Sequence, residues 1–339
     1  MLSGFLKKYL PNYIVEYVQY IKKIIYNKKE INKAYKYDLL RYSRYSDTFK
    51  TDNSNKLIGK IIRDYHVIEK GLTMPETRLG FGKERIISLI KNCLNFISLY
   101  GESDEQINIA INVILEYCEF HKKNNFELDS LVNEAIIKLK SNKHIEYSLT
   151  TQKDMKYNNY FSKINSPFPD FAATRSSIRN FRDLNVNVED ILESINIAKS
   201  TPSACNRQCW RTYLYQDKNT IKKILDVQGG NRGFGHLVDK LIVVTAELGV
   251  FITPGERNQA FIDGGMYVMN LLYSLHYNKI GVCTLNCSND VDRDIKMRNL
   301  CSIGQSEVFI AMLACGIPAE NFKIANSFRY NISKTHKTL

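Results

Sequence analysis

Apolar residues recur at helical spacing through the first 150 residues of this 339-residue chain. Leucines and isoleucines three or four positions apart mark one face of a helix. The clearest series are Ile86, Leu89, Ile90, Leu94 and Ile97, followed by Ile107, Ile111, Ile114 and Leu115. One island, residues 64–85, interrupts this pattern because three glycines surround a proline there. The pattern therefore predicts a mainly helical N-terminal region, residues 1–150, with one internal loop.

The pattern changes after a polar, Tyr/Asn-rich connection at residues 151–171, where Pro167 and Pro169 disfavour helix. We expect helices beginning at 187 and over 218–228, 256–278 and 290–300, and strands over 211–216, 241–246 and 308–314. Helices against a central sheet give an α+β domain, residues 172–339.

Composition is ordinary for a soluble globular protein, with 44% hydrophobic and 24% charged residues. Most of the eight cysteines lie in apolar runs, and no secretory signal is evident, so we expect reduced thiols in a cytoplasmic protein. Two cysteine pairs, Cys205/Cys209 and Cys283/Cys287, have a spacing that zinc sites use. They lie far apart without paired histidines, and no metal site is expected.

Positive charge is concentrated at the start of the chain. Residues 1–50 hold eleven Lys/Arg against four Asp/Glu, together with nine tyrosines. Such an arm suits a membrane surface or nucleic acid, although residues 13–26 are too short and charged to span a bilayer. We favour a helical arm whose Lys face is solvated and whose Tyr/Ile face packs on the body. No nucleic-acid partner is expected, and membrane-surface contact is the less favoured alternative.

The segment ATRSSIRNF, residues 173–181, is a candidate phosphate site. Arg175 and Arg179 share a face if the segment is helical, with Ser176 and Ser177 beside them. Two guanidiniums and two hydroxyls suit a dianionic phosphate monoester, and a helix start would add free N–H groups. The alternative is a charged helix start on the surface. Arg329, near the C-terminus, is a third candidate cation.

The segment PSACNRQCW, residues 202–210, is a candidate contact for a flat heteroaromatic ring. Its rigid Pro202-Ser203 turn precedes Asn206 and Gln208, whose amides donate and accept hydrogen bonds at once. Trp210, the only tryptophan, then opens a predicted strand. The alternative is an ordinary loop before that strand.

Two further segments offer backbone N–H groups or a side-chain amide as candidate ligand contacts. Residues 280–288, IGVCTLNCS, offer backbone N–H groups from Val282 to Leu285, including Cys283, and the Thr284 hydroxyl to a ring edge. The alternative is a plain buried strand. The turn GGNRGFG precedes a strand instead of following one, which excludes a dinucleotide fingerprint. Asn231 within that turn is a candidate amide contact.

Six features of this chain, in their order along the sequence, resemble the nitroreductase-like flavoprotein family. They are the RSSIR segment, PSACNRQCW, the helix with IDGGMYVMNLLYSL, the GVCTLN turn, the strand ending in ACGIP and the late Arg329. The resemblance covers about residues 172–330. It implies a mostly antiparallel central sheet flanked by helices, and an intertwined homodimer with FMN in each of two interface sites.

The resemblance also assigns roles to the candidate residues. It implies that Arg175, Ser176, Ser177 and Arg179 hold the FMN phosphate and ribityl chain, with Arg329 on the phosphate. It implies that Ser203, Asn206 and Gln208 reach the flavin from the partner subunit, while Val282 to Leu285 contact the ring edge. The family's usual Pro before the Trp is Cys209 here, a departure that affects the turn.

The island HVIEKGLTMPETRLGFG is similar to one in a subset of nitroreductase-like proteins linked to bacterial polysaccharide gene clusters. The resemblance suggests a substrate lid over the flavin, formed by His66, Glu69, Lys70, Arg78 and Phe81. The alternative, which we favour slightly, is a helix-capping turn that docks the extra region. In that alternative His66 and Glu69 form a simple surface pair.

The function implied is an FMN-dependent oxidoreductase that takes hydride from NAD(P)H and reduces a small organic acceptor at the flavin face. The flavin carries this chemistry, so no catalytic side chain is assigned. The alternative is a catalytically quiet binding or scaffolding protein in cell-surface polysaccharide assembly, with the basic arm as its contact surface.

Overall fold

The computed structural model describes residues 11–101, 104–141 and 150–339. Its N-terminal region is helical, as predicted. The helices are α1 (Asn12–Tyr45), α2 (Ser54–Gly71), α3 (Lys83–Tyr100), α4 (Glu105–Lys123) and α5 (Ser130–Ser141). Helices α2 to α5 turn their Ile/Leu faces toward one another and close a hydrophobic core of their own. The island at residues 64–85 contains the end of α2 at Gly71, as its glycines indicated.

Helix α1 contradicts the expected packing of the arm. It has no buried residue, and Tyr17 and Leu39 are each 65% exposed. The helix is attached to the body mainly by polar contacts. Asp38 forms a bidentate ion pair with Arg257, at 2.5 and 2.8 Å, and the Lys56 ammonium donates to the carbonyl oxygen of Arg44 at 3.3 Å. The Tyr/Ile face therefore lies in solvent.

The connection after the helical region contains its own strand. Strand β1 (Gln152–Lys156) precedes two short helices, α6 (Tyr157–Tyr160) and α7 (Phe168–Thr174). A buried carboxylate ties this segment to α4, because Glu116 accepts a 2.9 Å hydrogen bond from the Thr151 backbone N–H. The sequence did not indicate β1, since its QKDMK residues show no apolar alternation.

The C-terminal part has the predicted α+β architecture. Its remaining strands are β2 (Phe181–Arg182), β3 (Trp210–Tyr215), β4 (Lys240–Glu247), β5 (Gly281–Asn286), β6 (Glu307–Pro318) and β7 (Asn321–Ala325). Its remaining helices are α8 (Val188–Ala198), α9 (Lys218–Gln228), α10 (Gln259–Tyr277), α11 (Val291–Cys301) and α12 (Ile332–Thr335).

All strand pairs are antiparallel, and β6 lies at the centre of the main sheet. One edge of β6 pairs with β4, which continues to β3. The other edge pairs with β5 and, at Ile317 and Pro318, with β2. A second, two-stranded sheet joins β1 to β7, with Gln152 opposite Ala325. The expected fold class, a mostly antiparallel sheet flanked by helices after a helical region, is confirmed.

The sheet is covered on both faces. Helix α10 packs against one face with Tyr267, Leu271 and Leu275, while α9 and α11 cover the other. Every residue of β4 except its last, Glu247, is buried, which explains its continuous apolar sequence. No helix within the described ranges is both long enough and apolar enough to cross a membrane.

Candidate functional site

A cavity of about 990 Å³ lies where the helical region meets the α+β domain. Helices α2 and α4, the segment after α7, helix α10, strand β5 and the segment after β7 all contribute to its wall. The lining residues are Ile62, Tyr65, His66, Glu69, Gln106, Ala172, Ala173, Arg175, Ser176, Ser177, Arg179, Met269, Tyr273, Thr284 and residues 325–330. The predicted phosphate segment, Thr284 and Arg329 therefore share one cavity.

The phosphate segment is extended, so the expected helical face is wrong. Helix α7 ends at Thr174, and Arg175 already has extended backbone angles. Two long-range contacts hold the segment out of the helix. The Ile178 backbone N–H donates to the Val282 carbonyl oxygen at 3.0 Å, and the Ser176 N–H donates to the Tyr160 hydroxyl at 3.0 Å. Pairing with β5 thus replaces the helix that local spacing predicted.

The arginines of this segment lack acidic partners. Within the described ranges, neither Arg175 nor Arg179 forms an ion pair with a carboxylate. Arg179 is only 6% exposed, and its Nε has no hydrogen-bond partner. Burial, assisted by the nearby Arg179 guanidinium, lowers the pKa of Lys70. A buried guanidinium with an unsatisfied N–H, next to a second cation, is a strong indication of an anionic ligand.

Strand β5 presents one side chain to the cavity. Thr284 is exposed and lies on the wall, whereas Val282, Cys283 and Leu285 are buried in the core. Burial raises the pKa of the Cys283 thiol, so this cysteine stays protonated at neutral pH. The contribution of β5 to the site is therefore a hydroxyl and the strand backbone.

The segment after β7 connects the cavity to helix α2. The Ser327 backbone N–H donates to Glu69 Oε1 at 2.9 Å, and His66 Nδ1 lies 3.1 Å from Glu69 Oε2. Glu69 is fully buried, so the expectation of a simple surface pair is wrong. Arg329 is exposed on the cavity wall, and its guanidinium donates to the Ser327 carbonyl oxygen. His66, Glu69 and Arg329 thus share the cavity wall.

The other three lid candidates are placed differently. Phe81 packs in the helical core against the Tyr117 ring at 5.3 Å, and Arg78 is exposed away from the cavity wall. Lys70 is half-buried near Arg179 and is not among the cavity-lining residues. Sequence reasoning missed Tyr65 and Gln106, whose 2.5 Å hydrogen bond lies on the same wall. Their positions in α2 and α4 carry no signal beyond helical periodicity.

The loop 202–208 lies off the cavity of its own chain. Pro202, Asn206 and Gln208 are exposed, and Ser203 is half-buried. The backbone φ angles of Cys205, Asn206 and Gln208 are 52°, 55° and 47°, in the left-handed region that non-glycine residues rarely adopt.

Buried anchors hold this loop in its unusual conformation. The carboxylate of Asp263, which is fully buried, accepts the Ala204 N–H at 3.1 Å, and the Ser203 hydroxyl accepts the Gln208 N–H at 2.9 Å. Cys209 is buried beside the small side chains of Ala246 and Ala260. The loop is therefore fixed with its two amides directed away from the chain's own core.

Asn231 has a local structural role. Its side-chain amide donates to the Leu225 carbonyl oxygen at 2.5 Å and closes the C-terminal end of α9. It does not line the cavity.

His276 lies beneath the phosphate segment and is 1% exposed. Its Nε2 is 2.8 Å from the Thr174 hydroxyl, and its ring packs among Tyr160, Phe161 and Phe171. Burial, with a contribution from the Arg175 charge, lowers its pKa to about 4. The imidazole is therefore neutral at pH 7 and adds no charge to the site.

Comparisons with known proteins find similarity to one family. Residues 172–231 match the model of the nitroreductase family. A protein of Methanothermobacter thermautotrophicus named "Putative NADH dehydrogenase/NAD(P)H nitroreductase" is 26% identical over 151 residues, which are 44% of this chain and 75% of that protein.

Two solved structures illustrate the structural likeness. An FMN-dependent nitroreductase of Clostridium difficile is 19% identical, with a TM-score of 0.43, over 50% of this chain and 98% of that one. A nitroreductase family protein of Streptococcus pneumoniae is 18% identical, with a TM-score of 0.43, over 51% of this chain and all of that one. The resemblance to the nitroreductase family stated from the sequence is confirmed by the family match, which covers residues 172–231.

Proposed function

We propose that the cavity binds FMN and that the chain is an NAD(P)H-dependent oxidoreductase acting on a small organic acceptor. The observation that carries the proposal is the pair Arg175 and Arg179, which reaches the cavity without an acidic partner. The relative from Methanothermobacter thermautotrophicus, which is named as an NADH dehydrogenase/NAD(P)H nitroreductase, supports the same class of activity.

The arginine end of the cavity fits the phosphate of FMN. Arg175 and Arg179 offer guanidinium donors, Ser176 and Ser177 lie between them, and Arg329 approaches from the segment after β7. A phosphate monoester is a dianion. Bidentate guanidinium contacts therefore bind it more favourably than they would bind a neutral ligand. The unpartnered Arg179 Nε would gain an acceptor on binding. These residues would hold the phosphate and fix its position against β5.

Strand β5 would orient the flavin ring. When bound, the flavin supplies hydride acceptance from NAD(P)H and electron delivery to the acceptor. The Thr284 hydroxyl and the neighbouring backbone would donate hydrogen bonds to a ring edge. Because Cys283 is buried with a raised pKa, no thiolate competes there. The chain's part is binding, orientation and exclusion of water, and no side chain is proposed as a catalytic acid or base.

We propose a homodimer in which the 202–208 loop serves the partner's cavity. On α10, Ile262 and Met266 are 52% and 40% exposed, and the same face continues to Met269 and Tyr273 on the cavity wall. An apolar stripe that runs into the cavity is typical of an interface. A partner on this stripe would bring the exposed amides of Asn206 and Gln208 toward the second flavin.

The helical region would close the phosphate end of the site. Its Tyr65, His66 and Glu69 already form one wall, and Glu69 fixes the segment that carries Arg329. We accordingly propose that α2 to α5, within the helical region 1–150, act as a docked cover, residues 151–171 as a structured connection and residues 172–339 as the flavin domain. The eight free cysteines support a cytoplasmic location.

Anaerobic reduction of the FMN-loaded protein tests the enzyme assignment. Mixing with NADH or NADPH in a stopped-flow instrument should bleach the flavin absorbance, and reoxidation should follow on addition of a nitroaromatic acceptor. A protein that binds FMN but is reduced by neither nucleotide would support the alternative of a catalytically quiet scaffold. The same traces decide between NADH and NADPH.

A further inference from the structure

Helix α1 is a basic amphipathic helix whose apolar side has no cover in the described chain. Apolar or aromatic residues recur three or four positions apart along one face, except where Lys28 stands between Ile24 and Ile31. The series is Ile14, Tyr17, Ile21, Ile24, Ile31, Tyr35, Leu39 and Tyr42, which we call the arm stripe. None of these residues is buried; Ile14 and Ile21 are half-buried and the other six are exposed. For a helix of 34 residues, leaving such a face in water is unfavourable.

The body contacts a different side of α1. The half-buried positions in the second half of the helix include Asn27, Ala34 and Asp38, spaced seven and four residues apart. Asp38 is held there by the bidentate ion pair with Arg257. The helix is therefore fixed to the body along a polar edge, and Tyr35 and Leu39 on the arm stripe stay exposed.

The charges around the arm stripe are mostly positive. Helix α1 carries eight Lys/Arg against three Asp/Glu, and it also carries eight tyrosines. A nucleic acid would neutralise the lysines but leave the aliphatic side chains in water. An anionic lipid surface takes both, because the apolar face enters the acyl boundary while lysines and tyrosines remain among the headgroups.

The middle of the arm stripe favours lipid over a second copy of the chain. Lys28 occupies the position between Ile24 and Ile31 on this face. In a helix–helix seam its ammonium would be buried next to an equally basic neighbour, which costs free energy. At a lipid surface the same side chain reaches the headgroups along its aliphatic stem.

We propose that α1 lies flat on an anionic lipid surface through the arm stripe and holds the body at that surface through Asp38 and Arg257. The contact is interfacial and does not span the bilayer. It is independent of the flavin assignment, since none of its residues lines the cavity.

Vesicle co-sedimentation of the full chain tests this contact. The protein should pellet with vesicles of phosphatidylcholine mixed with phosphatidylglycerol, pellet far less with phosphatidylcholine alone, and be released by high salt. Replacing Lys28 and Lys29 with Gln should weaken partitioning roughly 30-fold, at about 1 kcal/mol per basic residue near the surface. The matched control replaces Lys122 and Lys123, exposed at the end of α4, and should leave partitioning unchanged.

A second set of variants tests the apolar contact. Ile24→Gln, Ile31→Gln and Leu39→Gln together should abolish vesicle binding. Leu99→Gln, Leu131→Gln and Ile137→Gln, at positions on other helices that are as a set at least as exposed, should not. Light scattering follows the oligomeric state of each protein. Failure of the wild-type chain to bind anionic vesicles would overturn the proposal. Conversion of a dimer to monomers by the arm variant, without a vesicle effect, would show that a second copy covers the stripe.

Discussion

The Ile178 backbone N–H donates a 3.0 Å hydrogen bond to the carbonyl oxygen of Val282. This bond places the arginine segment alongside β5, so that Arg179 and Thr284 reach the same cavity. Two motifs about a hundred residues apart in sequence thus become two sides of one candidate flavin site.

Loss of either arginine should weaken FMN binding through the phosphate alone. Arg175→Gln and Arg179→Gln should each weaken the FMN dissociation constant by roughly tenfold to a hundredfold, because a charge-assisted hydrogen bond contributes about 1.5–3 kcal/mol. Riboflavin, which lacks the phosphate, should bind both variants nearly as well as it binds wild type. Arg232→Gln, at an exposed arginine off the cavity, is the matched control. Equal losses for FMN and riboflavin would refute the phosphate assignment.

A charge on the α10 stripe should disrupt both assembly and cofactor binding. Ile262→Glu combined with Met266→Glu would place carboxylates in the proposed dimer interface, where burying them is costly. Light scattering should report monomers, and FMN affinity should fall because Asn206 and Gln208 no longer reach the site. Val291→Glu, at an exposed position on α11, should change neither property. A monomer that keeps full FMN affinity would show that each site is complete within one chain.

Removal of the Glu69 carboxylate should destabilise the docked cover. Glu69→Ala leaves the half-buried Ser327 N–H without its acceptor, which costs about 1–3 kcal/mol in the free energy of unfolding measured by urea denaturation. Glu69→Gln keeps an acceptor oxygen and should recover most of this loss. If both variants match wild type, Glu69 does not fix the segment that carries Arg329.

The buried His276 should make the protein less stable in mild acid. Its pKa is about 4 when folded, whereas the ordinary value is 6.5, so the unfolded chain binds more protons between these values. The contribution of the neutral, buried His276 to the free energy of unfolding is complete above pH 6.5 and is lost as pH falls toward 4. His276→Phe should flatten the dependence of unfolding free energy on pH in this window. An unchanged slope would contradict a neutral His276.

Local signals in the sequence were sufficient for several elements. Helix α9 was predicted with both ends, residues 218–228. In the structure Asp217 caps its start, and Gly229 ends it in the left-handed conformation, with φ of 74°. Strand β4 was evident from its continuous apolar run. The resemblance, which rests on the order of the motifs, also predicted that Arg175, Arg179, Thr284 and Arg329 lie around one site. All four line the same cavity.

Other features depend on contacts that no local pattern encodes. The extended state of Ser176 and Ile178 arises from bonds to Tyr160 and Val282, so helical spacing was misleading there. Glu69 is buried at a contact with a distant part of the chain, where it accepts a hydrogen bond from the Ser327 backbone N–H. The exposure of α1 was missed because an amphipathic sequence does not specify what its apolar face contacts.

Equilibrium titration of the purified, flavin-free chain with FMN tests the central claim most directly. Quenching of flavin fluorescence should saturate at one FMN per chain. The Arg175→Gln/Arg179→Gln double variant, checked for native circular dichroism, should bind far more weakly under the same conditions. A folded wild-type protein that leaves FMN fluorescence unchanged at all concentrations would contradict the assignment of this cavity as a flavin site.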